Sequence, residues 1–167
     1  VGLIPENELS TMAGVALSPD TGGATVDDRL ATSGPGVFAC GNVLHVHDLV
    51  DFVSAEAALA GRNAARFAAG SLPAGSERMT VRMGHGVTAA VPQQITRAPE
   101  ADVQLMFRPR GVYRNASIVA RAGDSILREK RARILAPGEM ATLTLPRAAL
   151  AALGNDVSSI EIEVMEA

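Results

Sequence analysis

The sequence predicts two architectures in one chain, an α/β segment over residues 1–70 and an all-β, antiparallel, sandwich-like domain over residues 78–167, joined by a linker at 71–77. Three observations predict this division. Val37-Phe38-Ala39-Cys40 is a continuous apolar run too short for a helix, the pattern of a strand buried on both faces. Residues 51–69 are rich in alanine and carry apolar side chains at helical spacing. Beyond residue 78 the hydrophobic period falls to two, and turn signals recur at hairpin intervals.

Each element has its own local reason. Gly34-Pro35-Gly36 delivers the chain into the 37–40 strand, and Gly41 and Asn42 stop it. At the strand's carboxyl end, the usual ligand edge of an open α/β sheet, glycine leaves the backbone bare and Asn42 supplies a short amide. The helix over 51–69 has Asp51 as its expected N-cap, Gly70 as its stop, and Phe52, Ala55, Leu59 and Phe67 as its apolar stripe. Gly70-Ser71-Leu72-Pro73-Ala74-Gly75-Ser76 reads as a linker.

In the tail, Val103, Leu105 and Phe107 alternate with Gln104, Met106 and Arg108, and Ile160, Ile162 and Val164 alternate with Glu161, Glu163 and Met165. These are half-buried strands. Gly123-Asp124 predicts a hairpin between 117–122 and 126–130, and Pro137-Gly138 a second between 134–135 and 141–145. Pro146 to Gly154 reads as one short helix.

The run Thr32-Ser33-Gly34-Pro35-Gly36-Val37-Phe38-Ala39-Cys40-Gly41-Asn42 resembles the second flavin-contacting motif of the FAD-dependent pyridine nucleotide-disulfide oxidoreductases, including thioredoxin reductase-like enzymes. There a Thr-Ser-x-Pro-Gly-Val-Phe/Tyr-Ala-x-Gly-Asp segment places its terminal acid against the ribityl and pyrophosphate part of FAD. Asn42 stands where the family usually has Asp, so the hydrogen-bonding reach survives and the negative charge does not. Neighbouring segments follow the family's order: Val1 to Pro5 with Glu8-Leu9 and a helix ended by Gly14, then Val26-Asp27-Asp28 with Leu30 and Thr32 as strand and loop. After the motif, the helix containing Ala60-Gly61 and Ala64-Ala65 resembles the one that closes the flavin site. The resemblance covers residues 1–70 and says nothing of the tail.

The resemblance implies an α/β flavin-domain fragment, the C-terminal segment of an FAD-binding Rossmann-like domain. Gly41 and Asn42 are the implied contacts to the ribityl and pyrophosphate groups, and Val53 and Ser54, at the helix start, to the electron-rich edge of the isoalloxazine ring. The Gly-x-Gly-x-x-Gly turns that hold the ADP half of FAD and the nicotinamide nucleotide are absent, and so is a Cys-x-x-Cys pair, since Cys40 is the only cysteine. The expectation is therefore the C-terminal portion of an FAD-dependent, NAD(P)H-linked oxidoreductase. It is not active alone: NAD(P)H would bind outside this chain, and the partners would be the N-terminal FAD and NAD(P) domains. A different reading makes the β domain a protein-docking module on a vestigial flavin fold, pairing with a partner dehydrogenase or electron carrier.

Composition bounds these readings. At 167 residues and 47% hydrophobic content the chain can bury a core, and no stretch reaches the roughly 20 apolar residues of a membrane span. A lone cysteine excludes an internal disulfide framework and points to the cytoplasm. A net charge of −3, with Tyr113 alone among the basic residues of the tail, gives no nucleic-acid footprint.

Three groups carry possible chemistry. His45 and His47 flank Val46, with Asp48 and Asp51 following; the loop reads as a flavin- or substrate-side loop or as a solvated capping loop, and without a third ligand cluster no metal is assigned. Cys40 within an apolar strand reads as packing. Arg108, Arg110, Arg114, Arg121, Arg128, Lys130, Arg131 and Arg133 read as a solvated strand face, balanced by the acidic last strand, in competition with an anion or partner site. No catalytic acid, base or nucleophile is assigned.

Overall fold

A computed structural model describes residues 4–73 and 77–166 and divides into two compact units, Val1–Gly75 and Ser76–Ala167. Val1, Gly2 and Leu3 of the family-like opening, and residues 74–76 of the linker, lie outside the described residues.

The N-terminal unit contains helix α1 (Glu8–Met12), a 3-10 turn over Gly41–Val43, and the long helix α2 (Val50–Ala68). Gly14, at φ 70°, ends α1 as expected. The 37–40 strand is corrected: Phe38 meets Ala31 in an isolated antiparallel bridge, Leu17 and Ala24 form another, and no sheet appears among the described residues of this unit. A central strand needs a hydrogen-bonding neighbour on each side, and among the described residues this run has one bridge, on one side. Val37 is exposed accordingly, and only Ala39 of the run is buried. The strand expected at 26–28 is a turn: Asp27 Oδ1 accepts the N–H groups of Arg29 at 3.0 Å and Ala31 at 3.1 Å, with Leu30 at φ 62°.

Buried polar side chains organise these loops. Asn7 Nδ2 donates to the carbonyls of Gly22 at 3.0 Å and Val43 at 2.9 Å. Gly23 lies against the backbone of Leu44 so closely that a Cβ would overlap the Leu44 carbonyl, and only glycine permits that approach.

Helix α2 follows Leu49, an extended N-cap residue that makes no side-chain cap; Asp51 sits in the first turn instead of capping it. Gly70, at φ 66°, stops the helix, its N–H donating to Phe67 O at 3.0 Å while Ser71 N–H reaches Arg66 O at 2.8 Å. The buried face is Glu56, Ala60 and Asn63, and the predicted stripe is displaced: Ala55 and Phe67 are exposed, Phe52 and Leu59 half-buried. The helix packs on loops whose backbone offers donors and acceptors, so polar side chains belong on its inner face; Asn63 Nδ2, for example, donates to Arg29 O at 2.9 Å.

Among its described residues the C-terminal unit has eight strands, β1 (Arg78–Met83), β2 (Val87–Val91), β3 (Gln94–Thr96), β4 (Val103–Pro109), β5 (Tyr113–Ala122), β6 (Ser125–Leu135), β7 (Ala141–Leu145) and β8 (Ser159–Met165), with the short helix α3 (Arg147–Ala151). A five-stranded sheet runs β3-β1-β8-β5-β6 and a three-stranded sheet β2-β4-β7. One hydrophobic core joins them, with Met79, Ile118, Ile160, Ile162 and Val164 from the larger sheet and Leu105, Phe107, Leu143 and Leu145 from the smaller. The sandwich-like arrangement matches the two-residue period, and Ile160, Ile162 and Val164 are buried between half-buried Glu161 and Glu163.

Three details differ from expectation. The β1–β8 pair is parallel, because the chain returns to this sheet after visiting both. The 134–135/141–145 hairpin does not form, since β6 and β7 belong to different sheets and Pro137-Gly138 turns a corner between them. Met106, expected on the solvated face, is buried. The Gly123 hairpin is present and longer than predicted. The basic residues largely face solvent: Arg128, Lys130, Arg131 and Arg133 are exposed on edge strand β6, where charge discourages further pairing. Arg121 meets Glu163 of the acidic last strand at 2.6 Å.

Candidate functional site

The site begins at Gly41. Its left-handed conformation, φ 70°, starts the 3-10 turn, and the N–H groups of Leu44 and His45 close on Gly41 O at 2.9 and 3.2 Å. The turn reverses the chain after Cys40 and brings His45 and His47, two residues apart, to the inner face of α2. Glu56 waits there, with a side chain 4% exposed.

The Glu56 carboxylate is shared three ways. Oε1 lies 2.6 Å from His45 Nε2; Oε2 lies 2.9 Å from His47 Nε2 and accepts the Gly41 N–H at 2.8 Å. A carboxylate can only accept, so both imidazoles present an Nε2–H to it. Burial alone pushes the Glu56 carboxyl up, but the hydrogen bond and attraction of His45, the Gly41 amide and His47 together hold it below its ordinary value. The same charge acts on Cys40, a half-buried thiol that burial and then Glu56 push above its ordinary value. Cys40 is thus a poor nucleophile, in keeping with a packing role.

His47 completes the cluster unevenly. Its side chain is 1% exposed, its ring lies 4.2 Å from that of His45 between centroids, and its Nδ1 is buried with no hydrogen-bond partner. Leaving such a buried group unpaired costs about 1–3 kcal/mol.

His45, His47 and Glu56 also form a donor set of metal-ligand type, with ligand atoms within 4.8 Å of one another. A tetrahedral ion with bonds of about 2.0–2.2 Å spaces its ligand atoms about 3.3 Å apart. Binding one through both Nε2 atoms requires removing their protons and opening the 2.6 and 2.9 Å contacts.

The expected residues are distributed around this cluster. Gly41 is buried, and its N–H points to Glu56. Asn42 is exposed, its Oδ1 accepting the His47 backbone N–H at 3.2 Å. Val53 is half-buried and Ser54 exposed in the first turns of α2. A Cβ built on Gly41 would stand 3.4 Å from Val53 Cγ1, so the turn and the helix start are neighbours. Asp48 and Asp51, the carboxylates nearest the histidines in sequence, are exposed, and the carboxylate that meets them is Glu56, which no sequence motif marks. The available signal was a lone acid sharing a helical face with Ala60 and Asn63 in an alanine-rich helix.

Among family models, curated proteins and solved structures, none matches this chain. Among the described residues no helix is long and apolar enough to cross a membrane.

Proposed function

We propose that this chain is the C-terminal portion of an FAD-dependent, NAD(P)H-linked oxidoreductase, contributing contacts to the ribityl-pyrophosphate and to the ring edge of FAD, and working in the cytoplasm with the polypeptide that supplies the rest of the flavin and nicotinamide sites. The observation that carries this reading is the adjacency of Gly41 and Val53, which joins the two motifs of the resemblance: the glycine that ends the apolar run and the start of the helix that follows it.

The residues present fit the group in two respects. Gly41 gives a bare left-handed backbone beside Asn42, a short exposed amide. The first turn of α2 has no side-chain cap, so its N–H groups suit an electron-rich ligand edge. When bound, the flavin would supply the hydride chemistry, and this chain's residues would hold and orient it. A third support is the apolar surface of the N-terminal unit: Ile4, Leu9 and Met12 are 84%, 81% and 84% exposed, which suits a surface covered by another part of a larger protein.

The test is a flavin spectrum of the full-length protein, together with FAD titration of this chain. Yellow full-length protein and weak uptake by the isolated chain are expected. Full-length protein that purifies without flavin and takes up none on addition overturns the reading.

A further inference from the structure

Asn42 is the exposed polar residue of the Gly41–Val43 turn, and the two ends of its amide are not equivalent. Its Oδ1 accepts the His47 backbone N–H at 3.2 Å. Its Nδ2 meets no acceptor among the described residues. An amide held by its oxygen presents its NH2 group on the other side, and on an exposed residue that group is reachable from solvent.

The hold on this amide is built from the buried cluster. Gly41, the residue before it, gives its N–H to Glu56 Oε2 at 2.8 Å; the ring of His47, whose backbone holds the amide, meets the same oxygen through Nε2 at 2.9 Å. One carboxylate oxygen thus fixes both residues between which the Asn42 side chain reaches. The N–H groups of Leu44 and His45, closing on Gly41 O, hold the backbone between them. A side chain fixed before its ligand arrives loses less freedom on binding. Charge points the same way. Asp48 and Asp51, both exposed, follow in the chain and disfavour an oxygen-rich ligand; the amide at 42 adds no third negative charge and supplies a donor. An acid here, as in the motif that the run resembles, would offer acceptors only.

We propose that Asn42 is a fixed donor to FAD, its Nδ2 giving a hydrogen bond to an oxygen lone pair of the ribityl-pyrophosphate, so that the contact has the opposite polarity to the one an acid makes. Glu56 is its positioning residue. The inference rests on the flavoprotein reading for the identity of the ligand. Pyrophosphate and ribityl oxygens both offer such a lone pair, and the test separates them.

FAD binding to the full-length protein, freed of flavin beforehand, measures the polarity. Asn42→Ala removes the donor and should weaken FAD about fivefold, whereas Asn42→Asp keeps an acceptor for the His47 N–H, turns a charged oxygen to the ligand, and should weaken it about tenfold or more. Asn42→Asp that binds FAD as tightly as Asn42→Ala, or more tightly, overturns the proposal, because an acid can hold the turn but cannot donate. Riboflavin, which lacks both phosphates, names the oxygen. A loss in Asn42→Asp confined to FAD assigns the pyrophosphate; one shared by riboflavin assigns the ribityl chain.

Hydrogen exchange of the His47 amide, on this chain without flavin, tests the hold by itself. Exchange should accelerate in Asn42→Ala and stay slow in Asn42→Asp, with the Gly41 resonance unmoved in both. No acceleration in Asn42→Ala would free Oδ1 and overturn the proposal. Full-length protein that takes up neither FAD nor riboflavin sinks the flavoprotein reading instead, and the His47 exchange still judges which way the amide faces.

Discussion

Glu56 Oε2 meets two donors from the segment that precedes α2, the Gly41 N–H at 2.8 Å and His47 Nε2 at 2.9 Å. One carboxylate thus fastens the turn that ends the apolar run to the loop that follows it, and ties both to α2.

That fastening should be acid-sensitive. The Glu56 carboxyl lies below its ordinary value when folded, so its contribution is fully present above the ordinary carboxylate range and is lost as pH falls through the lowered value. The Gly41 amide resonance should move as the carboxylate protonates, and local opening near residues 41–47 should precede unfolding of the β unit. In Glu56→Gln the Gly41 shift should be nearly flat over the same acid range.

Gly41→Ala should destabilise the N-terminal unit. A side chain at φ 70° costs about 1–2 kcal/mol, and its Cβ would only touch Val53 Cγ1, at 3.4 Å, so the backbone conformation carries the cost. Hydrogen exchange at residues 41–56 is the appropriate measurement, and unchanged protection would contradict this account.

Cys40 should alkylate slowly. Its thiol is pushed up by burial and by the Glu56 carboxylate, so little thiolate is present at neutral pH. Iodoacetamide labelling should lag behind that of an unstructured cysteine peptide and accelerate as pH rises past the ordinary thiol range.

On the proposed flavoprotein reading, Asn42→Leu should lower FAD occupancy of the full-length protein by about fivefold, the loss of one hydrogen bond worth ~1 kcal/mol. Absorbance of the bound flavin after gel filtration measures it, and unchanged occupancy would remove Asn42 from the contact.

Phe107→Ala in β4 should cost about 3–5 kcal/mol, since Phe107 is 1% exposed in the core shared by both sheets. Urea denaturation followed by circular dichroism tests this. A loss below 1 kcal/mol would mean that the two sheets do not share that core.

The tail was legible because its strands bury one face. Alternation in 160–165 survives into the fold, and Gly123-Asp124 marks a real hairpin. Pairing was not legible: β1 with β8, and the separation of β6 from β7, depend on which sheet completes the core, and no local pattern carries that. In the N-terminal unit the glycine stops at Gly14 and Gly70 were readable, because a left-handed residue after a helix is a local requirement. The strand predicted at 37–40 joins no sheet among the described residues, since apolar residues in sequence say nothing about the neighbours a strand needs.

The site divides along the same line. The sequence alone determined that His45 and His47 stand two residues apart, after a glycine turn and before a long helix. The tertiary structure decided that Glu56 meets both, because the partners stand eleven and nine positions apart in the chain and only folding brings them to 2.6 and 2.9 Å. A buried acid on an alanine-rich helix becomes meaningful once the loop opposite it is known. The orphaned Nδ1 of His47 is likewise a property of enclosure, created by packing and invisible in any motif.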